Sequence, residues 1–182
     1  IAGNGWATTT LTANSTAGVY SVTASVLGSN VPISYTLTNF LPTTSTVTSM
    51  PHPSQFGEMI AFTMAVTAPY GVPTGSITFT VDSADTVAPL VDGMATITRS
   101  DLAVGDHVAL VSYGGEEYFD PSESLLYTQT VVRAGSDITV TTAPNPSATS
   151  DSVVFTATVV AMAPGAGLPT GDITFTVGAT VF

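Results

Sequence analysis

PTGSITFTV, Pro73 to Val81, returns as PTGDITFTV, Pro169 to Val177, with one substitution in nine positions. In both copies Ile, Phe and Val alternate with small polar residues, the period-two signature of a strand with one buried face, and Pro-Thr-Gly ahead of it is a turn. The duplication reaches beyond the phrase. Upstream, Pro53, Ser54, Ile60, Phe62, Thr63 and Val66 have partners 93 positions later in Pro146, Ser147, Val153, Phe155, Thr156 and Val159. Three extra residues around Gly165 to Gly167 then raise the offset to 96. A period of this size exceeds a solenoid unit, so each repeat is expected to be a domain with its own core.

A weaker echo lies near the start of the chain. Gly5, Trp6, Ala7 and Thr8 resemble Gly93, Met94, Ala95 and Thr96, and Gly18 and Tyr20 resemble Gly105 and His107. Residues 1–40 therefore read as the back half of a module, residues 44–133 as a complete one, and residues 136–182 as a front half. Val81 to Gly93 is twelve steps; joining Phe182 to Ile1 puts Val177 ten steps from Gly5. The two halves nearly splice into one domain, so the sequence is expected either to be cut out of phase from a longer array or to complete itself head to tail.

Alternation recurs along the chain. Ile60, Phe62, Met64 and Val66 point one way while Ala61, Thr63, Ala65 and Thr67 point the other. For the middle module the pattern predicts strands near Ser45 to Met50, Glu58 to Ala68, Gly75 to Val81, Val87 to Val91, Met94 to Arg99, Asp106 to Tyr113 and Leu125 to Val132. Asp92-Gly93 and Gly114-Gly115 supply further turns, and no window sustains an amphipathic helix. Seven short strands in such a span fit an immunoglobulin-like β-sandwich. The fold expected is all-β: tandem immunoglobulin-like sandwiches, one complete module flanked by two half-modules.

Composition narrows the function classes. The chain has 182 residues, 44% hydrophobic and only 8% charged, with a formal net charge of −11. Arg99 and Arg133 are the sole lysine or arginine side chains, so nucleic acid and anionic membrane are poor partners. No apolar run is long enough to span a bilayer as a helix. Without cysteine, disulfides and thiolate metal sites are excluded; without lysine, so is a Lys-Asn isopeptide crosslink. No catalytic or cofactor-binding residue stands out.

In order along the middle module, PTGSITFTVD, APLVDGMATIT, LAVGDHVALVSYGGEEYF, PSES and TQTVV resemble a bacterial Ig-like repeat domain of large cell-surface, adhesin-type proteins. The resemblance implies a spacer or adhesive stalk, extracellular at a cell surface or in a secreted filament, with neighbouring Ig-like modules or copies of itself as partners and no catalytic residues. Gly115-Glu116-Glu117 stands where the family often has Gly-Asp.

A few residues invite chemistry. Glu116, Glu117 and Asp120 are weak calcium candidates, since calcium takes several converging oxygens; their spacing matches neither an EF-hand nor an RTX pattern, and a solvated tip explains them as well. A surface glycan is a second possible ligand, with Trp6 as a stacking platform, although its counterpart Met94 argues for a packing position. His107 occupies the place of Tyr20, so a hydrogen bond at a core edge, akin to a tyrosine corner, is favoured over catalysis. If His107, Ala109, Val111 and Tyr113 face inward, Val108 and Leu110 face outward where the earlier copy has Ser21 and Thr23, and mark a possible lateral contact. The linkers Phe40 to Thr44 and Arg133 to Gly135 are short, and an extended rod is expected.

Overall fold

The computed structural model describes residues 6–28, 31–178 and 180–181. All regular structure among them is β. In chain order the strands are β1 (Gly18–Ala24), β2 (Ile33–Asn39), β3 (Thr44–Met50), β4 (Ser54–Gln55), β5 (Ile60–Thr67), β6 (Ser76–Val81), β7 (Ala84–Pro89) and β8 (Met94–Arg99). They continue with β9 (Gly105–Tyr113), β10 (Ser122–Glu123), β11 (Tyr127–Val132), β12 (Ser136–Ala143), β13 (Val154–Ala161), β14 (Thr176–Val177) and β15 (Thr180–Val181).

Two sheets make up the middle module. One runs β3-β5-β8; the other runs β4-β11-β9-β6-β7, with β10 also paired to β9. Each buries alternate residues, as a two-layer sandwich requires. Outside it, β1 pairs with β2, β12 with β13, and β14 with β15, each as an antiparallel pair.

By contacts the chain divides into two compact units. The first comprises Ile1–Val47, Thr63–Thr96 and Ala109–Leu126. Its core is Val47, Met64, Val66, Ile77, Phe79, Val81, Ala109, Val111 and Tyr113, all 7% exposed or less. β6 is held on both edges, with Ile77 opposite Ala88 on β7 and opposite Tyr113 on β9. The β6–β7 hairpin closes through Asp82 and Ser83, both in the left-handed region (φ 48° and 69°), with Val81 paired to Ala84. Such two-residue turns match the twist of the strands they join. Because that turn is so tight, β7 starts at Ala84, three residues before the start near Val87 that alternation suggests.

The second unit comprises Thr48–Phe62, Ile97–Val108 and Tyr127–Phe182. Ile60, Phe62, Leu102, His107, Gln129 and Val131 are buried in it. Here β4 joins β11 in parallel, Ser54 beside Val131 and Gln55 beside Val132, and Phe56 N–H donates to Val132 O at 2.8 Å. β4 and β10 are two-residue strands too short for a periodicity to reveal.

The second copy of the repeated phrase behaves differently from the first. Ser76–Val81 is a full strand, whereas in PTGDITFTV only Thr176 and Val177 are strand. Ile77 is 1% exposed and its counterpart Ile173 is 42% exposed. The strand expected over Ile173 to Val177 is thus shortened: among the described residues its strand partner is the two-residue β15, placed as β7 is on β6, and no strand pairs with it as β9 pairs with β6.

Candidate functional site

The acidic loop after β9 is built by its backbone. Gly115 (φ 79°) and Glu117 (φ 50°) reverse the chain, and Phe119 N–H donates to Glu116 O at 2.9 Å. The loop then clasps the linker ahead of β3: Leu41 N–H donates to Tyr118 O at 2.7 Å and Asp120 N–H to Leu41 O at 2.9 Å. Thr43 Oγ1 donates to Asp120 O at 2.7 Å, and Ser45 Oγ and Ser122 Oγ share a 2.7 Å bond. The Glu116 carboxylate folds back over Gly75, where it occupies the space that a Cβ would need. Among the described residues no group of three or more His, Asp or Glu side chains is arranged to hold a metal. Thus Glu116, Glu117 and Asp120 share one loop, while three of its carbonyl oxygens and two of its amides are used in closing the turn and gripping the linker.

β9 alternates as its sequence predicts. His107, Ala109, Val111 and Tyr113 are buried, Val108 is 46% exposed, and Leu110 is half-buried beside Thr80 on β6. Both members of the candidate lateral pair therefore lie on the outer face of the sheet. Burial holds the Tyr113 phenol above its ordinary pKa, with the Glu116 charge adding to the effect, and its hydroxyl donates to Thr74 O at 2.9 Å.

Both histidines are engaged in structure. His107 Nε2 donates to Ala103 O at 2.7 Å, and Tyr20 Oη donates to Thr16 O at 2.6 Å; each bond spans four residues. His52 Nδ1 lies 3.3 Å from Gln129 Oε1, its ring 5.9 Å from that of Tyr127. Gln129 is the hub of a polar network that no motif announces. Its Nε2 lies within 3.0 to 3.2 Å of Thr130 O, Ser54 Oγ and Pro51 O, and its Oε1 accepts from Ser49 Oγ, which also bonds Tyr127 Oη at 2.8 Å. The one clue in sequence is a polar residue at an inward position, between Tyr127 and Val131. The two arginines differ: Arg99 grips the exposed Asp101 at 2.7 and 2.9 Å and holds that carboxyl below its usual pKa. Arg133 lines an open groove of about 550 Å³ with Phe56, Val104, Gly135, Ala166 and Leu168.

The strand pairs β1–β2 and β12–β13 each carry an apolar face that is only partly covered. On β1–β2 that face carries Tyr20, Val22 and Ala24 opposite Leu37, Tyr35 and Ile33, and Tyr35 is 67% exposed. On β12–β13 it carries Ile138, Val140 and Thr142 opposite Val159, Ala157 and Phe155, with Val140 at 55%. Trp6, for which its alignment with Met94 suggests a packing position, is 73% exposed, and Met94 itself is 48% exposed. Packing is thus not what this position supplies in either copy. Gly5, Ile1 and Phe182, used above to align and splice the halves, lie outside the described residues.

Against known proteins, one match falls on the segment whose geometry is most complete. Residues 47–132 match the bacterial Ig-like domain (group 3). The matched span starts within β3 and ends with β11, so it takes in both sheets of the sandwich. A solved chain of a 1.5-MDa bacterial ice-binding adhesin, studied for its retention at the host cell surface, is similar over 61% of this chain at 14% identity and a TM-score of 0.36. The alignment spans 40% of that adhesin chain. No curated protein matches this one.

Within the Ig-like module, several buried polar side chains hydrogen-bond one element of the sandwich to another. Gln129 and Ser54 tie the β3–β5 crossover to β11; His107 fastens the entry to β9. No buried side-chain nitrogen or oxygen among the described residues lacks a partner.

Proposed function

We propose that this chain is a structural spacer segment of a bacterial extracellular surface protein, a stalk or fibre built of Ig-like modules, at the cell surface or in a secreted filament. The observation that carries the reading is how the joints are made. The linker before the Ig-like module is held by three hydrogen bonds from Leu41 and Thr43 to the loop at Tyr118 and Asp120. The linker after it is held as well: Met162 N–H donates to Gly135 O and Ala166 N–H to Phe56 O, at 2.8 and 2.9 Å. Gly165 to Gly167, the three residues by which the last repeat exceeds the middle one, lie in that second joint, Gly167 against the Phe56 ring and Gly165 against Ala134 and Gln55. Gripped linkers resist bending, which is what a spacer needs and a swivelling receptor-binding module does not.

The reading has no catalytic step in it. Both histidines hydrogen-bond to neighbouring groups of the fold, His107 to a backbone carbonyl and His52 to Gln129. Replacing residues 44–133 in the native surface protein by an unrelated sandwich of equal length tests the proposal. Adhesion or surface display at wild-type levels is expected. Loss of adhesion, or a melting temperature raised by calcium and lowered again by chelator, would instead assign the loop of Glu116, Glu117 and Asp120 a ligand, calcium or a surface glycan.

A further inference from the structure

We infer that the segment Ser49 to Phe56 and strand β11 form a mechanical clamp, the part of the Ig-like module that holds when the chain is put under tension. The inference rests on the spacer reading and adds a force-resisting site to it.

The clamp joins an early segment of the module to its last strand, through residues 75 to 80 positions apart in sequence. Ser49 Oγ bonds Tyr127 Oη at 2.8 Å and donates to Gln129 Oε1. Gln129 Nε2 reaches Pro51 O at 3.2 Å and Ser54 Oγ at 3.1 Å, and His52 Nδ1 lies 3.3 Å from Gln129 Oε1. Ser54 and Gln55 then pair with Val131 and Val132, and Phe56 N–H donates to Val132 O at 2.8 Å. Side chains make the first part of the seam and backbone the second.

Direction is what turns this seam into a clamp. β4 and β11 are parallel. Tension on the module enters ahead of Thr44 and reaches β4 from its N-terminal side; it leaves through Arg133, beyond the C-terminal end of β11. In a parallel pair those two ends point opposite ways. The pull therefore runs along the strands and loads the bonds between them together, in shear. A pair gripped from one shared end would instead give way one rung at a time.

Burial adds to the resistance. Ser54 and Gln129 are both 0% exposed and Val131 is 2% exposed, so water has no access to replace a bond as it lengthens. A polar group stranded there bears its full desolvation cost. The seam also crosses between sheets, since Ser49 lies on β3 of the β3-β5-β8 sheet and Tyr127 and Gln129 lie on β11 of the other. Sliding β11 past the early segment must break both sets of contacts. By contrast, the bonds from His107 to Ala103 and from Tyr113 to Thr74 touch neither partner of the clamp. They add to equilibrium stability, whereas resistance to force is set by the rate of unfolding along the pulled direction.

Single-molecule pulling of the full chain tests this, and the absence of native cysteine lets handles be attached at chosen positions. Handles at Thr44→Cys and Arg133→Cys load the clamp in shear. Handles at Met59→Cys, an exposed position after β4, and Arg133→Cys grip the same pair from one side and unzip it. The first geometry should need the higher rupture force. Equal or lower force in that geometry overturns the inference and leaves the spacer reading intact, because that reading is tested by adhesion. With handles at 44 and 133, Ser49→Ala combined with Ser54→Ala should unfold about tenfold faster at constant load. His107→Phe, which weakens the fold away from the clamp, should change that rate far less. Equal acceleration by the two would show that overall stability sets the strength, against the clamp.

Discussion

Tyr20 and His107 make the same hydrogen bond at equivalent places, each to the carbonyl four residues upstream, at 2.6 and 2.7 Å. A phenol and an imidazole can substitute for one another there because the position needs a flat ring with a donor at its far edge. The neutral His107 must then carry its proton on Nε2, since a carbonyl can only accept. His107→Phe should cost about 1–3 kcal/mol in urea unfolding, the range for stranding a buried carbonyl, and His107→Tyr should recover most of it. Equal destabilisation by both would show that the ring's packing, and not the bond, matters.

Tyr113 gives a pH dependence with a definite sign. Its pKa is raised above 10.0 in the fold, first by burial and then by Glu116. The unfolded phenol loses its proton first as pH rises, so the contribution to stability is complete below that value and is lost above it. Tyr113→Phe gives up the bond to Thr74, about 1 kcal/mol at neutral pH, and should show a shallower alkaline loss than wild type. Parallel pH profiles for the two proteins would contradict this.

Gln129 should be among the costliest single residues to replace. Gln129→Leu keeps bulk but leaves Ser49, Ser54 and Pro51 O without their shared partner, and a loss of about 3 kcal/mol is expected. Chemical denaturation of the variant checks it; a change within about 0.5 kcal/mol, the level of an ordinary surface substitution, would mean that solvent replaces the network.

The β6–β7 turn leaves room for improvement. Ser83 has φ 69°, a conformation that glycine adopts without a Cβ penalty. Ser83→Gly should stabilise the module by up to about 1 kcal/mol, the penalty removed outweighing the added chain entropy. Thermal melts decide the sign.

Hydrogen exchange separates the two copies of the repeated phrase. Amides of residues 76–81 should exchange orders of magnitude more slowly than those of residues 172–177 in dilute chain. Comparable protection in both would contradict the pairing described for β6 and β14.

Much of the sandwich was legible from alternation. Ile60, Phe62, Met64 and Val66 on β5, and His107 to Tyr113 on β9, are buried at the positions that period two assigns them. That signal works because each strand has one covered face and a pleat fixes which residues share it. It is silent where the covered set includes a polar residue, so Gln129 passed unnoticed, and it misplaced the start of β7 because a two-residue turn leaves no gap in the pattern. The exposed ring of Trp6 escaped it because a match to Met94 reports similarity of position, not burial.

The repeated phrase marks the division between the two sources of information. Sequence by itself determined that PTGSITFTV and PTGDITFTV are copies, that each alternates as a half-buried strand, and that the chain between them holds a β-sandwich. Only tertiary structure decided that the first is a full strand and the second mostly is not. An isolated strand leaves its amides and carbonyls unpaired and its Ile and Phe uncovered; β6 has β7 and β9 to satisfy the first need and a core to satisfy the second. The same letters fold according to the neighbours that the rest of the chain places beside them.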